Sequence, residues 1–532
     1  MAVGKIPDKL YFYLSKSDAT YKVTKQLEHI NKDIPGGLNS HSRILINSVR
    51  GTGTNIEEGI VGTSLYINGI KPTYFFCEKV FKNCDTFTFK SGVSPCNSCY
   101  KNTRLFKKNF PGDFVNITGI LDSRIIDDVS ELSKQLSTDE ILNFEINGIH
   151  LGNFILASLR RYFLSETIPD NVEGIIRSYF ITALDIYHAA EKLSREYEYL
   201  FTSHGVYVSW GIMAEVFYRN KKKVITWGRG YRQNTWVLAH KYTYHKALFE
   251  EGSEYWSDLE LDEQRRKKLN DYMMSKRTGG SEDFVSYNAN KKTERQYLID
   301  KLDLDMNKKI IVLFTNVVWD ASVAFTHDSF GGMYNWLLDT IDYFAKHKGL
   351  QLIIRVHPAE VQPGSETEQK ASDIISKEYG QLPNNIKLID SEHNSDISSY
   401  GFFDLMDAAI IYGSKIGVEL AYQGIPTIVA GEAFCKNKGI TFDVLKKEDY
   451  YRYLDNLETL KLSEEQKSLA IRYAYYYNFI RLNDIDILDY EGRNIRKLNL
   501  TACEEYNSSK FPQYNRVIDS IINTKPFHSK EI

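Results

Sequence analysis

Long apolar runs, net charge, cysteine and proline are all scarce in this chain, and each shortage narrows what it does. No uninterrupted apolar segment is long enough to span a bilayer. The opening residues, MAVGKIPDKLYFYLSKSD, lack the extended apolar core and small-residue cleavage site of a secretory signal. The expected location is therefore the cytoplasm, with peripheral attachment at the inner face of the membrane left open. A formal net charge of −3 gives no global attraction to nucleic acid or to an anionic surface. Six cysteines in 532 residues fit a reducing compartment better than a disulfide framework. Twelve prolines, with 42% hydrophobic and 25% charged residues, describe a soluble globular chain. Its length calls for two or more domains.

Tyrosine and phenylalanine are plentiful, at 36 and 28 residues. Such surfaces suit carbohydrate stacking, but tyrosine also packs with its hydroxyl at a rim, so the count alone decides nothing.

Residues 1 to about 40 read as polar and irregular. Arg43 to Ser48 then forms an apolar strand that runs into Val49-Arg50-Gly51-Thr52-Gly53-Thr54-Asn55, a helical stretch and a second strand from Thr73 to Cys77. This strand–helix–strand order opens a Rossmann-like domain. The loop, with Arg50, either binds phosphate through backbone N–H groups or makes a tight turn admitting an acceptor. It has neither GxGxxG spacing nor a Walker lysine. Helical periodicity fills 139 to 203, where Arg160-Arg161 reads as a solvated face, with an acceptor-anion contact as the minority reading. Two more strands end at Ser203-His204-Gly205-Val206-Tyr207 and at Gly228-Arg229-Gly230. His204 has the near-neutral pKa of a base for a sugar hydroxyl, or it makes a local cap. Tyr207 and Arg229 would face the acceptor. His240 and His245 lack a third metal ligand and read as substrate contact or packing. The charged stretch from 250 to 300, with SKRTGGSED, reads as an exposed hinge or lid.

Cys77, Cys84, Cys96 and Cys99 cluster, with one CxxC pair. They either hold a structural zinc or are buried reduced thiols. The flanks carry no sustained basic stripe, so a nucleic-acid module is not expected.

The second half alternates apolar strands with helices more clearly. Its strands end at Asn316, with Trp319-Asp320 following, at His357-Pro358, at Asp390-Ser391, at Gly413-Ser414 and at Gly431-Glu432. In parallel sheets with crossover helices, ligands bind beyond the carboxyl ends of the strands. The run Gly413-Ser414-Lys415-Ile416-Gly417 turns a strand into a helix and suits a phosphate, with Glu419 placed for ribose hydroxyls. Arg355 and His357 share a strand face, and a buried Arg-x-His without a partner for its charge is costly. Arg355, Glu360 and Asn316 join the donor-binding set, and His357 would stabilise charge on a leaving nucleotide.

The stretches RVHPAE, YGSKIGVELAYQGIPTIVAG and KGIT resemble the capsule polysaccharide biosynthesis glycosyltransferases, including the Kps-type Kdo transferases. The resemblance implies a GT-B fold: two Rossmann-like domains facing a cleft, donor on the C-terminal one, acceptor on the N-terminal one. It also implies that no divalent ion is needed for transfer, that His357 and Ser414 contact donor phosphate, and that His204 is the candidate base. The Asp-Asp-Gly motif of bacterial sialyltransferases is missing. Asp320 is a substitute base, or it binds donor or fixes the cleft.

The expected domains are 1–300 on the acceptor side, 301–475 on the donor side and a helical extension, 476–532, free to cross back. The expected function is transfer of a sugar from CMP-Kdo or an NDP-sugar to a capsule or lipopolysaccharide glycan or glycolipid. A polyol-phosphate transferase, a nucleotide-sugar 2-epimerase and a non-catalytic assembly partner are the alternatives.

Overall fold

The computed structural model describes residues 19–34, 42–49, 55–91, 94–320, 329–394 and 396–528. Two large sheets organise it. In the first, β1 (Ser42–Asn47), β2 (Ile70–Phe76), β3 (Asp113–Asn116), β6 (Tyr199–Ser203) and β7 (Lys223–Arg229) run parallel, and β8 (Thr235–Ala239) turns back antiparallel along β7. A small hairpin, β4 (Glu145–Ile146) and β5 (Ile149–His150), lies outside it. The spatial order is β15-β8-β7-β6-β1-β2-β3. In the second sheet, β9 (Lys309–Phe314), β10 (Leu350–Arg355), β11 (Ile386–Ile389), β12 (Ala408–Ile411), β13 (Thr427–Val429) and β14 (Phe442–Asp443) are all parallel, in the order β11-β10-β9-β12-β13-β14.

These orders explain the sequence pattern. A parallel sheet is covered on both faces, so its strands carry unbroken apolar runs, as β10 does with all six residues buried. Counting outward from the first strand, each sheet reverses direction once. The reversal falls between β1 and β6 in the first sheet and between β9 and β12 in the second. Crossover loops leave in opposite directions at such a point, and their divergence opens a crevice at the carboxyl strand ends. Two Rossmann-like sheets of this kind are the α/β fold expected.

The helices Leu151–Phe163 and Glu173–Glu196 cover the first sheet, packing with Leu45 and Phe75 in one apolar cluster. The charged segment after residue 250 is more structured than expected. Its helix Glu263–Arg277 buries Leu269, Tyr272 and Met273 in the cluster that also holds Ile310 of β9 and Ile353 of β10. This stretch, assigned to the first domain from sequence, packs with the second sheet.

The C-terminal segment returns to the first sheet. After the helix Glu464–Tyr475 comes a π-helical turn, Tyr476–Arg481, and then β15 (Asn483–Asp484), which pairs with β8. A hairpin follows, β16 (Leu488–Glu491) and β17 (Asn494–Leu498). The helix Pro512–Asn523 then docks on Asn55–Ile67, where the Tyr514 hydroxyl meets Ser64 Oγ at 2.8 Å. The supposedly irregular N-terminus contains a helix, Ala19–Ile30, whose Val23, Leu27 and Ile30 are buried at helical spacing. Its Gln26 Nε2 donates to Leu500 O at 2.7 Å, so this helix rests on the returning segment. Among the described residues, no helix is long and apolar enough to cross a membrane.

Candidate functional site

A cavity of about 520 Å³ opens at the carboxyl ends of the second sheet, beside its reversal point. Asn316 follows β9, Arg355 and His357 end β10, and Ser414 and Lys415 follow β12; all line it. Asp320 and Glu419 do so too. The facing wall is supplied by Arg161, Tyr231 and His245 of the first unit, the segment 280–288, and Arg493 of the C-terminal hairpin.

Proline fixes the direction of His357. Pro358 starts a short 3₁₀ turn, Pro358–Val361, in which His357 Nδ1 accepts the Ala359 N–H at 3.1 Å. The His357 N–H itself donates to Thr315 Oγ1 at 3.0 Å, tying the ends of β9 and β10 together. Burial, with the charges of Arg355 and Lys291 nearby, pushes the imidazole pKa down to about 4. The ring is therefore neutral at physiological pH. Because Nδ1 is an acceptor, its proton sits on Nε2, which makes the ring a hydrogen-bond donor at that atom.

Arg355 is 1% exposed. It donates from Nε to Ser399 Oγ at 3.3 Å and from Nη2 to Ile397 O at 2.9 Å, while Nη1 has no protein partner among the described residues. Burial lowers its pKa to about 10. A desolvated guanidinium with a spare donor is costly unless a ligand supplies the acceptor.

Below these groups lies a buried network. Lys276 Nζ donates to Asp283 Oδ2 at 2.6 Å and to Glu419 Oε1 at 3.0 Å. Lys415 Nζ reaches Asp283 Oδ2 at 3.1 Å and stands 4.5 Å from the centre of the Tyr231 ring. Tyr272 donates to Asp283 Oδ1 at 2.5 Å, and Tyr400 to Glu419 Oε2 at 2.8 Å. Burial alone would raise the Asp283 pKa, but Lys415 and Lys276 outweigh it and hold the carboxyl well below the usual range. Both oxygens of Glu419, expected on ribose, thus already accept protein hydrogen bonds.

Several residues singled out from sequence lie off the cavity wall. Glu360 is buried and accepts the Ala371 N–H at 2.9 Å, capping the helix Ala371–Tyr379; the 3₁₀ turn after Pro358 carries it away from His357. Gly417 packs inward, where a Cβ would lie 2.5 Å from Cys435 Sγ. Arg229 pairs with Glu57 at 2.6 Å and stacks over Tyr490. Tyr207 is buried. His204 packs on Trp210, 4.7 Å between ring centres, and lies behind His245 at 6.5 Å. The glycine after it serves the backbone: Gly205 has φ +74°, and a Cβ there would meet Tyr242 O at 1.9 Å. Arg50 lies outside the described residues.

The four clustered cysteines form no disulfide, and among the described residues no three His, Cys, Asp or Glu side chains converge as a metal site. Cys77 Sγ accepts the Phe81 N–H at 3.3 Å, and burial pushes its pKa up to about 11. Cys96 and Cys99 lie on the helix Cys96–Asn109. The residues present do not fit a four-thiolate zinc. Of the two histidines near 240, His245 lines the cavity, whereas His240 stacks on Phe527.

Sequence reasoning missed Lys276 and Asp283, and it ranked a solvated face for Arg161 above an acceptor-anion contact. Lys276 and Asp283 sit in a charged stretch that reads as solvated, and Arg161 at a helix end that does; their surroundings show only once the two units are packed together.

Residues 262–476 match the family model described as capsule polysaccharide biosynthesis protein. The span starts at the N-cap of the helix carrying Lys276 and includes the donor-side wall of the cavity. No curated protein sequence matches the chain. Similar solved structures include two from Thermosulfurimonas dismutans. Its KpsC beta Kdo 2,7 transferase is 16% identical over 64% of this chain and 89% of that one, with a TM-score of 0.33. Its KpsC beta Kdo 2,4 transferase is 12% identical over 52% of this chain and 79% of that one, with a TM-score of 0.32. A UDP-N-acetylglucosamine 2-epimerase is 11% identical over 82% and 93%, with a TM-score of 0.24.

Proposed function

We propose that this chain, whose residues 262–476 belong to the capsule polysaccharide biosynthesis family, transfers a sugar from a nucleotide-activated donor to a growing capsule or lipopolysaccharide glycan. The observation that carries this reading is the neutral His357. Its Nδ1 is committed to Ala359, which leaves an Nε2–H donor in the ring at the carboxyl end of β10, one strand from the reversal point of a doubly wound sheet.

In this reading the donor phosphate lies against His357, Ser414 and Lys415. As the bond from the anomeric carbon to phosphate breaks, the nucleotide leaves with the bonding electrons, and these groups meet its growing negative charge. The spare Nη1 of Arg355 adds a further donor. Charge stabilisation thus falls to side chains, in place of a divalent ion. The acceptor oxygen attacks the anomeric carbon, and Asp320, a carboxylate on the cavity wall, takes its proton. His204, packed behind His245, supports the facing wall. The donor is CMP-Kdo or an NDP-sugar, and the acceptor is a glycan or glycolipid met by a peripherally attached enzyme.

His357→Ala should abolish most transfer at saturating donor while leaving the circular dichroism spectrum unchanged. Full activity in that variant sinks the assignment. Product analysis with CMP- and UDP-activated donors, with and without EDTA, separates sugar transfer from 2-epimerisation or polyol-phosphate transfer.

A further inference from the structure

Five cationic side chains line the cavity, and four of them are engaged by the protein. Lys276 and Lys415 are neutralised by Asp283 and Glu419. Arg355 donates to Ser399 and Ile397, and Arg493 Nη2 donates to Gln362 Oε1 at 3.1 Å. Arg161 is different. It has no acidic partner and makes no hydrogen bond among the described residues; its neighbours are aromatic. Its guanidinium carbon lies 5.7 Å from the centre of the Tyr207 ring and 5.3 Å from that of Trp319.

This geometry does more than finish a helix. Arg161 is in the last turn of Leu151–Phe163, where cations favour the helix dipole. The preceding residue already serves the helix end: Arg160 Nε donates to Glu166 O at 2.9 Å. Arg161 turns instead to the cavity and bridges the two units, with Tyr207 from the first and Trp319 from the second. A guanidinium packed on aromatic rings gives up none of its N–H donors to them, and two of these can grip a carboxylate or phosphate in parallel. The aromatic neighbours compete for none of those donors.

We propose that Arg161 is a specificity-determining residue that binds an anionic group, a carboxylate or phosphate, on the acceptor, so that the substrate class is an acidic glycan. The assignment to acceptor follows from placement: Arg161 and Tyr207 belong to the first unit, across the cavity from His357, Ser414 and Lys415. It rests on the glycosyl-transfer reading for the word acceptor, but the anion site itself is testable by binding.

The test measures equilibrium binding to the full chain of three acidic probes, a glucuronate-containing tetrasaccharide, Kdo and a sugar phosphate monoester. Each is paired with its methyl-esterified or unphosphorylated counterpart, and CMP and UMP are titrated in parallel. At least one acidic probe should bind about 10- to 100-fold more tightly than its neutral partner, the range of a charge-assisted bidentate contact. Arg161→Gln should erase that preference, Arg161→Lys should keep part of it, and neither should change nucleotide affinity. Equal binding of acidic and neutral probes, no binding of any acidic probe, or a preference that survives in Arg161→Gln overturns the proposal. Weakened CMP or UMP binding in Arg161→Gln also overturns it, by giving the anion to the donor. Failure of the wild-type chain to bind any nucleotide would instead count against glycosyl transfer, independently of the Arg161 result. Matching thermal melts of the two variants exclude misfolding.

Discussion

Lys276 Nζ and Glu419 Oε1 lie 3.0 Å apart across 143 residues of chain, both almost fully buried. The contact makes a segment that reads as a solvated hinge part of the cavity floor.

Removing that lysine should be expensive. Lys276→Ala leaves Glu419 and Asp283 buried with Lys415 as their remaining cation, and breaking such a pair costs about 3–5 kcal/mol. Chemical denaturation should show a lower midpoint, and nucleotide affinity should fall because Lys415 is drawn toward both acids. An unchanged midpoint would show that water enters the network freely.

Histidine burial sets a second expectation. His357 takes a proton in the unfolded chain near 6.5 but in the folded protein only near 4, because burial and then Arg355 and Lys291 oppose the charge. His245 and His528 are likewise depressed, to about 3 and about 4, chiefly by burial. Between these values the unfolded chain binds more protons, so stability should fall as pH drops below about 6.5 and level off near pH 4 and below. His357→Gln should shallow that slope in urea titrations across pH 4–7. Nucleotide affinity measured over pH 5.5–8 should show no titration attributable to His357.

A buried acid works in the opposite sense. Glu58 accepts from Ser48 Oγ at 2.5 Å and from Asn55 Nδ2 at 3.2 Å, yet burial first, and the Glu57 charge after it, push its pKa up to about 8. Its stability contribution is complete below the usual value of 4.5 and is lost as pH rises through 8. Glu58→Gln should therefore gain on the wild type between pH 5 and 8.5, read as a difference in melting temperature that widens with pH. A constant difference would mean that the carboxyl is not buried in its neutral form.

Gly417→Ala probes the support beneath the phosphate turn. The added Cβ meets Cys435 Sγ at 2.5 Å and Ile411 Cδ1 at 2.6 Å, and overpacking of this kind costs about 1–3 kcal/mol. Because Ser414 and Lys415 immediately precede the displaced helix, nucleotide affinity should fall with stability. Gly174→Ala, also in a helix but with open space around it, is the control for the added methyl group alone.

The second sheet was readable because its strands are buried on both faces and stop sharply at polar residues. Asn316, His357 and Ser414 all fell where such endings predict. Glu360 did not, since three residues beyond a strand end the direction of a side chain depends on turn geometry that apolar periodicity does not encode. Arg161 was hidden by its own neighbour: two arginines at a helix end look equally solvated until the second unit brings Trp319 over one of them. The cysteines left zinc and reduced thiols both open for a similar reason, as sequence proximity alone does not say whether four thiols converge.

The chain passes between the two sheets once near residue 251 and again near 481, and Glu251 and Arg481 join these passages. Arg481 Nε donates to Glu251 Oε1 at 2.8 Å, with both groups buried, while Nη1 donates to Leu238 O. Two strands of chain pinned side by side act like the two leaves of a door hinge. A joint of this kind confines relative movement of the two units to rotation about one line, and it leaves the Arg161–Trp319 contact, made across the units, to register that rotation.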